Sequence, residues 1–301
     1  MPALKTDIQF AIEQLGISAH QSIRVGDDAA AIPRDDGYDL LACEGMDAAF
    51  VSEMPWFAGW SAVMVNLSDI AAMGGTPTAL VNAIWSSQDD VAGQVLNGMR
   101  DACQAFGVPM VGGHTNLHAD STQLSVSVLG HARHLLTSFD ARPGQKLVMA
   151  VDLSGAWRGG YPFFDAATST EPMRLRTNLS LLPEIARDGL ATAAKDISQA
   201  GIIGTASMLA ETSRVGMQID FAHIPRPDNV DMERWMKVFP SFGFLLSTDE
   251  ENEAELVHRF RSNDIAASCI GVIDRSRQVV VLGREDDDPV WDFQQQVMTG
   301  C

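Results

Sequence analysis

The stretch that most constrains the fold of this chain is residues 60–77, with the sequence WSAVMVNLSDIAAMGGTP. Its apolar side chains recur at helical spacing, which predicts an amphipathic helix with one buried stripe. Gly74 and Gly75 predict the end of this helix, and Pro77 prevents it from resuming. The helix therefore needs a core on one side, and it carries a second face of small and polar residues.

Asp69 lies near the predicted C-terminal end of this helix, on the small-residue face that it shares with Asn66. A carboxylate in this place meets the negative end of the helix dipole, which costs about 0.3–1 kcal/mol. Either Asp69 is an ordinary exposed acid or a cation compensates it. The helix alone leaves both interpretations open.

The composition limits the class of protein and its partners. A chain of 301 residues with 46% hydrophobic content is predicted to be globular, with two domains. A net charge of −18 argues against a nucleic-acid partner, because binding a phosphate backbone needs a basic surface. The scattered cysteines, without a CxxC pair, argue against a disulfide framework or a zinc site. No apolar run is long enough for a membrane span and no signal peptide is apparent, so we expect a cytoplasmic protein.

The order of elements in the first half of the chain predicts a mixed α/β fold, an α+β sheet with helices on one face. Two strand predictions bear on function. One strand covers residues 23–32, and another covers 108–111 and runs into a glycine turn at 112–113. Residues 137–145, TSFDARPGQ, combine turn formers with charges and predict the joint between two domains, 1–136 and 137–301.

The segment Gly26-Asp27-Asp28-Ala29-Ala30 places two acids side by side. At about 5 Å and an effective dielectric near 20, two such charges repel by roughly 3 kcal/mol, which a divalent cation would remove. Hard oxygen ligands favour magnesium or calcium. The alternative is a turn in which the aspartates cap the backbone.

Three further segments combine acids, glycine or other polar ligands near the ends of predicted elements. Cys43-Glu44-Gly45-Met46-Asp47 follows a strand, and Gly112-Gly113-His114-Thr115 lets the backbone approach a ligand while His114 can contact a phosphate. A hydrogen-bonded structural histidine is the alternative there. Lys195–Gly201, KDISQAG, leads into a helix whose first backbone amides can face an anion.

In this order and spacing, GDDAA, NLSDIAAMGGTP, VGGHT and DIS before a glycine-led helix resemble the aminoimidazole ribonucleotide (AIR) synthetase superfamily. The resemblance covers nearly the whole chain, and the motifs are closest to those of thiamine-monophosphate kinase. It implies a two-domain AIR synthetase-like fold. The sheet of the N-terminal α/β domain would pair with that of a second subunit in a homodimer, and a C-terminal α/β domain would follow. It also implies Mg²⁺ and ATP, bound in a cleft near the dimer interface.

The resemblance assigns roles to matching positions. Asp27, Asp28 and Asp69 resemble the metal-binding acids, and Glu44 stands where the family usually has Asp. Asp196 and His114 are the expected catalytic residues. The residues expected to bind the nucleotide are Gly26, Asn66, Gly112, Gly113, Thr115 and Ser198.

This chain departs from the pattern of thiamine-monophosphate kinase at positions expected to contact the acceptor or the transferred phosphate, and it keeps the expected metal-binding acids. His114 replaces an Asp, Gln199 replaces the second acid of DISDG, and Ser138 replaces an arginine. We therefore expect a phosphotransferase or ATP-activating enzyme whose acceptor is a small metabolite other than thiamine monophosphate. The alternatives are a non-catalytic nucleotide-binding relative and an ATP-dependent dehydratase, similar to the hydrogenase maturation factor, that uses Cys301.

Overall fold

The computed structural model of the chain describes residues 6–17, 23–283 and 288–300, which form two compact units. One unit holds a five-stranded sheet and is named the five-stranded unit; it consists of Ala29–Leu135 and Ala167–Pro183. The other holds a seven-stranded sheet and is named the seven-stranded unit; it consists of the described parts of Met1–Asp28, Leu136–Ala166 and Glu184–Cys301.

Helices and strands are interspersed along the described chain. The helices are α1 (Thr6–Leu15), α2 (Ala48–Glu53), α3 (Pro55–Ala72), α4 (Asp89–Phe106), α5 (Pro172–Arg187), α6 (Gly201–Ser213), α7 (Met232–Trp235) and α8 (Glu253–Arg261). The strands of the first half are β1 (Ala30–Arg34), β2 (Gly37–Met46), β3 (Thr76–Trp85), β4 (Met110–Asn116) and β5 (Gln123–Ala132). Those of the second half are β6 (Lys146–Val151), β7 (Ala156–Trp157), β8 (Phe163–Asp165), β9 (Ala193–Asp196), β10 (Gly216–Asp220), β11 (Phe239–Pro240), β12 (Gly243–Thr248), β13 (Ala266–Asp274), β14 (Gln278–Leu282) and β15 (Trp291–Asp292).

The sheet of the five-stranded unit has the order β1-β2-β5-β3-β4. Its neighbouring strands are antiparallel except β3 and β4, which run parallel. Helix α3 packs on β2 and β5. Burial alternates along these strands, so that Leu40 and Val128 are buried whereas Leu41 and Leu129 are exposed. One face of the sheet is therefore core, and the other is partly apolar surface.

Helix α3 confirms the helix predicted over residues 60–77 and begins earlier, at Pro55. Proline suits the first position of a helix because its missing N–H would have no partner there. At the other end Gly74, with φ of 72°, donates its N–H to the carbonyl of Ala71, and Gly75 donates to Ile70. The predicted glycine termination is thus present, with Gly74 in the left-handed conformation that glycine adopts at little cost.

Helices α3 and α4 cross in close backbone contact, which glycine permits at two places. A Cβ atom added to Gly98 would lie 1.9 Å from the carbonyl oxygen of Trp56. A Cβ atom added to Gly59 would lie 2.1 Å from the carbonyl oxygen of Val95. No side chain fits between these backbones, so the glycines set the helix separation.

The seven-stranded sheet has the order β15-β14-β10-β13-β6-β12-β9. Only β10 and β14 are parallel neighbours. All residues of β12 are buried, as are Leu147–Val151 of β6. Near-continuous apolar sequence at the centre of a sheet is expected when both of its faces are covered. Helix α6 contacts β9, β10 and β14, and α8 contacts β6 and β13.

Two predictions about strands near the functional motifs are wrong. Residues 23–29 form no strand, and β1 begins only at Ala30, because Asp27 uses its carboxylate to bind backbone amides that a strand would give to a ladder. The glycine turn expected after residue 111 is also absent. Gly112 and Gly113 lie inside β4, where they pair with Val81 and Asn82 of β3.

Two further predictions concern the end of the chain and the membrane. The prediction at the end of the chain falls on Cys301, the residue that the dehydratase alternative would use. Cys301 lies outside the described residues. None of the described helices combines the length and the apolar character that a membrane crossing requires.

The contact between α3 and α4 gives a test with a matched control on the same helix. Gly98→Ala should lower the free energy of unfolding by about 1–3 kcal/mol, the usual cost of overpacking. Gly93→Ala, where nothing lies within 4 Å of the added Cβ, should raise it by up to about 1 kcal/mol through helix propensity. Urea unfolding of both variants measures the difference. Equal midpoints would contradict the close backbone contact.

Candidate functional site

The segment that contains Gly26, Asp27 and Asp28 forms a turn before β1. Gly26 has φ of 109°, a conformation that side chains disfavour. The Asp27 carboxylate accepts two backbone N–H groups, from Asp28 at 3.0 Å and from Ser138 at 2.8 Å. Asp27 therefore does cap the backbone, as the structural alternative predicts, and it fixes the position of Asp28.

Asp28 meets the end of strand β9. Its Oδ1 atom accepts a hydrogen bond from Lys195 Nζ, and its Oδ2 atom accepts one from the backbone N–H of Asp196 at 3.4 Å. A carboxylate oxygen of Asp28 lies within 4.8 Å of one of Asp196. The side chains of Asp28 and Lys195 are only 5% and 8% exposed. The turn before β1 and the end of β9 thus build a buried cluster of charges, named here the acid cluster: Asp27, Asp28, Lys195 and Asp196.

The pKa values of Asp27 and Lys195 are both raised in the acid cluster. Burial, and then the charge of Asp28, raise the pKa of Asp27 from 3.8 to about 6, although Lys195 and the two amide hydrogen bonds act in the opposite direction. Burial by itself lowers the pKa of Lys195, but the charges of Asp28, Asp27 and Asp196 outweigh it and hold that pKa above its usual range. The ammonium of Lys195 is thus shared among three carboxylates, and the raised pKa of Asp27 shows that it does not fully offset their repulsion and burial.

The donor atoms of the acid cluster fit a hard divalent cation. Asp28 and Asp196 present carboxylate oxygens to one another, and carboxylate oxygen is the ligand type that magnesium prefers in proteins. The remaining negative charge gives such an ion an electrostatic reason to bind. The cluster can therefore hold Mg²⁺, which would offset the repulsion between its acids.

Asp69 and Asn66 lie on α3 and are both buried, with exposures of 7% and 0%. The interpretation of Asp69 as an ordinary exposed acid is therefore wrong. The Asn66 side-chain amide donates to the carbonyl of Ala62 at 2.8 Å, and its Oδ1 atom has no hydrogen-bond partner in the described part of the chain. A buried acceptor of this kind is rare and fits a donor or a cation that the protein alone does not supply.

Glu44 lies within β2 rather than after it, because this strand continues to Met46. It pairs with Val126 of β5, is exposed, and accepts the hydroxyl hydrogen of Ser125 on its backbone oxygen. The neighbouring acid Asp47 has a structural role, since its carboxylate caps α2 through the N–H of Phe50.

The predicted phosphate-binding residues of the first half lie on the edge strand β4. Gly112, Gly113, His114 and Thr115 are all exposed. The His114 ring lies 5.9 Å from that of Trp85. These residues keep their polar groups accessible to a ligand.

The two glycines of β4 differ in their surroundings. A Cβ atom on Gly113 would lie 2.2 Å from Asn82 Oδ1, whereas one on Gly112 would meet nothing within 4 Å. Gly113 is thus explained by packing inside the unit. Packing gives no reason for glycine at position 112.

The segment after β9 is less open to an anion than the sequence predicts. The N–H of Gly201 donates to the carbonyl of Ser198, and the N–H of Ile202 donates to that of Met236. Two of the first amides of α6 are therefore already occupied by protein carbonyls. Ser198 is half-buried, and Gln199 is exposed.

The predicted residues are divided between the two units. The group in the seven-stranded unit is Gly26, Asp27, Asp28, Asp196 and Ser198, and the group in the five-stranded unit is Glu44, Asn66, Asp69, Gly112, Gly113, His114 and Thr115. Sequence reasoning missed Lys195 as a member of the site. The available signal was a lysine at the end of the small, uncharged run ATAA, next to the DIS motif.

Comparison with known proteins adds to this geometry. One family model, AIR synthase related protein, N-terminal domain, matches residues 26–132. A second, AIR synthase related protein, C-terminal domain, matches residues 150–283. The uncharacterized protein sll0787 of Synechocystis sp. is 43% identical over 300 residues, which cover 98% of this chain and 93% of that protein. Thiamine-monophosphate kinase of Halobacterium salinarum is 33% identical over 216 residues, which cover 68% of this chain and 71% of that enzyme.

The fold is also shared with solved structures. The structure described as AaThiL complexed with AMPPCP and TMP aligns with a TM-score of 0.73 and 18% identity, over 96% of this chain and 97% of that one. At this identity the likeness shows the fold alone. The predicted α/β fold with two AIR synthetase-like domains is confirmed.

The different surroundings of Gly112 and Gly113 can be tested by alanine substitution. Gly113→Ala should destabilise the protein by about 1–3 kcal/mol, because the new methyl group meets Asn82. Gly112→Ala, with open space around the added atom, should stay within about 0.5 kcal/mol of the parent. Thermal unfolding of the two variants in parallel measures both effects. Equal losses would contradict the packing assigned to Gly113.

Proposed function

This chain belongs to the AIR synthase-related protein family, and from that premise we propose that it is a magnesium- and ATP-dependent phosphotransferase or ATP-activating enzyme. Its acceptor would be a small metabolite. The observation that carries the proposal is the acid cluster, in which Asp27, Asp28 and Asp196 surround the ammonium of Lys195. The thiamine-monophosphate kinase of Halobacterium salinarum, 33% identical, supports the reaction class.

The proposed roles follow the two groups of residues. Magnesium ligands are Asp27, Asp28, Glu44 and Asp69; nucleotide-binding residues are Gly26, Asn66, Gly112, Gly113, Thr115 and Ser198; catalytic residues are Asp196 and His114. Asp28 and Asp69 are buried, and a divalent cation beside them would stabilise their charged forms. Each Asp27 oxygen already accepts one amide hydrogen, so Asp27 contributes mainly by orienting Asp28.

The chemistry of phosphoryl transfer suits these residue types. When bound, magnesium neutralises charge on the β- and γ-phosphates of ATP. The open backbone at Gly112 can approach a phosphate oxygen without steric hindrance from its own residue. A carboxylate such as Asp196 or an imidazole such as His114 can take a proton from the acceptor.

The acceptor is proposed to differ from thiamine monophosphate. The resemblance to thiamine-monophosphate kinase implies acids where this chain has His114 and Gln199, and both side chains are exposed. An exposed position can contact a second substrate, so these replacements alter what the enzyme recognises more than how it holds the metal.

The alternative function, a dehydratase that uses Cys301, depends on a residue outside the described part of the chain. The residues before it are tied to the seven-stranded unit. The buried carboxylate of Glu211 accepts the N–H groups of Met298 at 2.7 Å and Thr299 at 2.8 Å. These hydrogen bonds explain how residues 298 and 299 are held in place, and they require no catalytic role for these residues.

A homodimer formed through the five-stranded sheet is the proposed assembly. The face of this sheet opposite α3 exposes apolar side chains. Leu41 and Leu129 are direct cross-strand partners and are 48% and 43% exposed. Val81 and Val111 are also exposed, at 43% and 64%. An apolar patch of this kind on a sheet supports pairing with a second sheet.

The metal and nucleotide proposal makes a prediction about ligand-induced stability. MgATP in hundredfold excess over its dissociation constant should raise the free energy of unfolding by about 2.7 kcal/mol. Asp69→Asn should abolish this gain while the variant still folds. Asp47→Asn is the matched control, because asparagine caps a helix as well as aspartate does and this variant should keep the gain. A wild-type gain in Asp69→Asn would remove Asp69 from the site.

The enzymatic proposal is tested by a screen of small metabolites for stimulated release of ADP. Release of ADP without free phosphate identifies a kinase, whereas equal release of both identifies an ATP-activating enzyme or an ATPase. We expect at least one metabolite to stimulate ADP release. Slow hydrolysis that no metabolite changes would favour the non-catalytic nucleotide-binding alternative.

The dimer proposal predicts the effect of a charge on the apolar sheet face. Leu129→Lys should convert the dimer to a monomer in sedimentation velocity, because a lysine facing an apolar partner must be desolvated. Leu96→Lys, at a leucine of α4 that is 40% exposed, is the control and should remain dimeric. A dimer in both variants would place the interface elsewhere.

A further inference from the structure

Lys195 is a buried lysine at the centre of the acid cluster. It lies on β9, its side chain is 8% exposed, and its ammonium binds Oδ1 of Asp28. Lysine is almost never buried at this level without a paired charge. Here the pairing is with the residue that the proposed function assigns to the metal.

The ammonium of Lys195 and a bound magnesium ion would compete for the same atom, Oδ1 of Asp28. Magnesium binds carboxylate oxygens at about 2.0–2.1 Å and carries two positive charges. An ammonium that stays on Asp28 Oδ1 would be held against such an ion, and the two cations would repel one another. The four-carbon stem of lysine has enough rotatable bonds to move its charge to another partner.

We propose that Lys195 is the resident counter-ion of the metal site and that it changes partner when the nucleotide binds. In the ligand-free protein its ammonium neutralises Asp28. When the metal takes Asp28, the ammonium moves to an oxygen of the nucleotide phosphates. This inference rests on the proposed function and adds to it Lys195, which directly precedes the DIS motif.

The exchange has a consequence for binding. Metal alone must displace the Lys195 ammonium from Asp28, and the ammonium must then share the neighbouring acids, Asp27 and Asp196, with the metal. Metal together with a nucleotide supplies phosphate oxygens for the displaced ammonium. The exchange therefore makes metal and nucleotide bind cooperatively, with the metal weakly bound when the nucleotide is absent.

The experiment measures binding of Mn²⁺ in the absence of nucleotide, by electron paramagnetic resonance, in the full chain. Lys195→Met removes the charge and keeps an unbranched stem. We expect it to bind Mn²⁺ about tenfold more tightly than the parent or better, because the competing cation is gone. Lys195→Gln is the second neutral variant, and Lys195→Arg is the matched control that keeps the charge and the weak Mn²⁺ binding.

A second measurement follows a non-hydrolysable ATP analogue in the presence of saturating Mn²⁺. Both neutral variants should lose affinity for the analogue, by about tenfold, because the phosphates lose one charged hydrogen bond. Lys195→Arg should lose less. The opposite direction of the two effects in one variant distinguishes partner exchange from simple damage to the site.

The outcomes separate this inference from the proposed function. If the parent binds neither Mn²⁺ with the analogue nor the analogue alone, the proposed function fails and the inference fails with it. If the parent binds them but the neutral variants bind Mn²⁺ no more tightly than it does, only the inference is overturned. Neutral variants that fold only when Mn²⁺ is present support it, since the metal then replaces the ammonium. Variants that do not fold even with Mn²⁺ contradict it.

Discussion

The arrangement on which the rest of this structure depends is the burial of several carboxylates around one ammonium. Asp27 shows what this costs, because its pKa rises from 3.8 to about 6 in the folded chain. Because the folded state binds this proton more tightly than the unfolded state does, the free energy of unfolding falls as the pH rises from 3.8 to about 6. At neutral pH the fold therefore holds Asp27 in a charged form that burial disfavours. Backbone amides of Asp28 and Ser138, together with Lys195, keep the arrangement in place.

The family motifs acquire distinct physical meanings once their surroundings are known. Within the pair of glycines on β4, Gly113 is required by the approach of Asn82, whereas Gly112 has open space. Within the GDD motif, the Asp27 carboxylate accepts a backbone N–H group from Ser138. The Asp28 carboxylate instead binds the Lys195 side chain and the Asp196 backbone, both on β9. A motif that looks uniform in sequence thus combines scaffold positions with positions left for a ligand.

Much of the fold could be predicted from local pattern. The helix predicted over residues 60–77 and its end at Gly74 are present in α3, because hydrophobic periodicity and terminating glycines act within a few residues. The predicted strand over 23–32 failed because Asp27 forms its hydrogen bond to Ser138, far along the chain. The role of Lys195 was missed for the same reason, since its partner Asp28 is 167 residues away in sequence. Long-range electrostatic contacts leave no periodic signal.

A crystal grown with Mn²⁺ and a non-hydrolysable ATP analogue would decide whether the acid cluster binds a divalent cation. We expect an anomalous scattering peak within bonding distance of the carboxylates of the acid cluster, with Asp28 as a ligand. Bound analogue with no peak at these carboxylates, and with Lys195 still on Asp28, would contradict it.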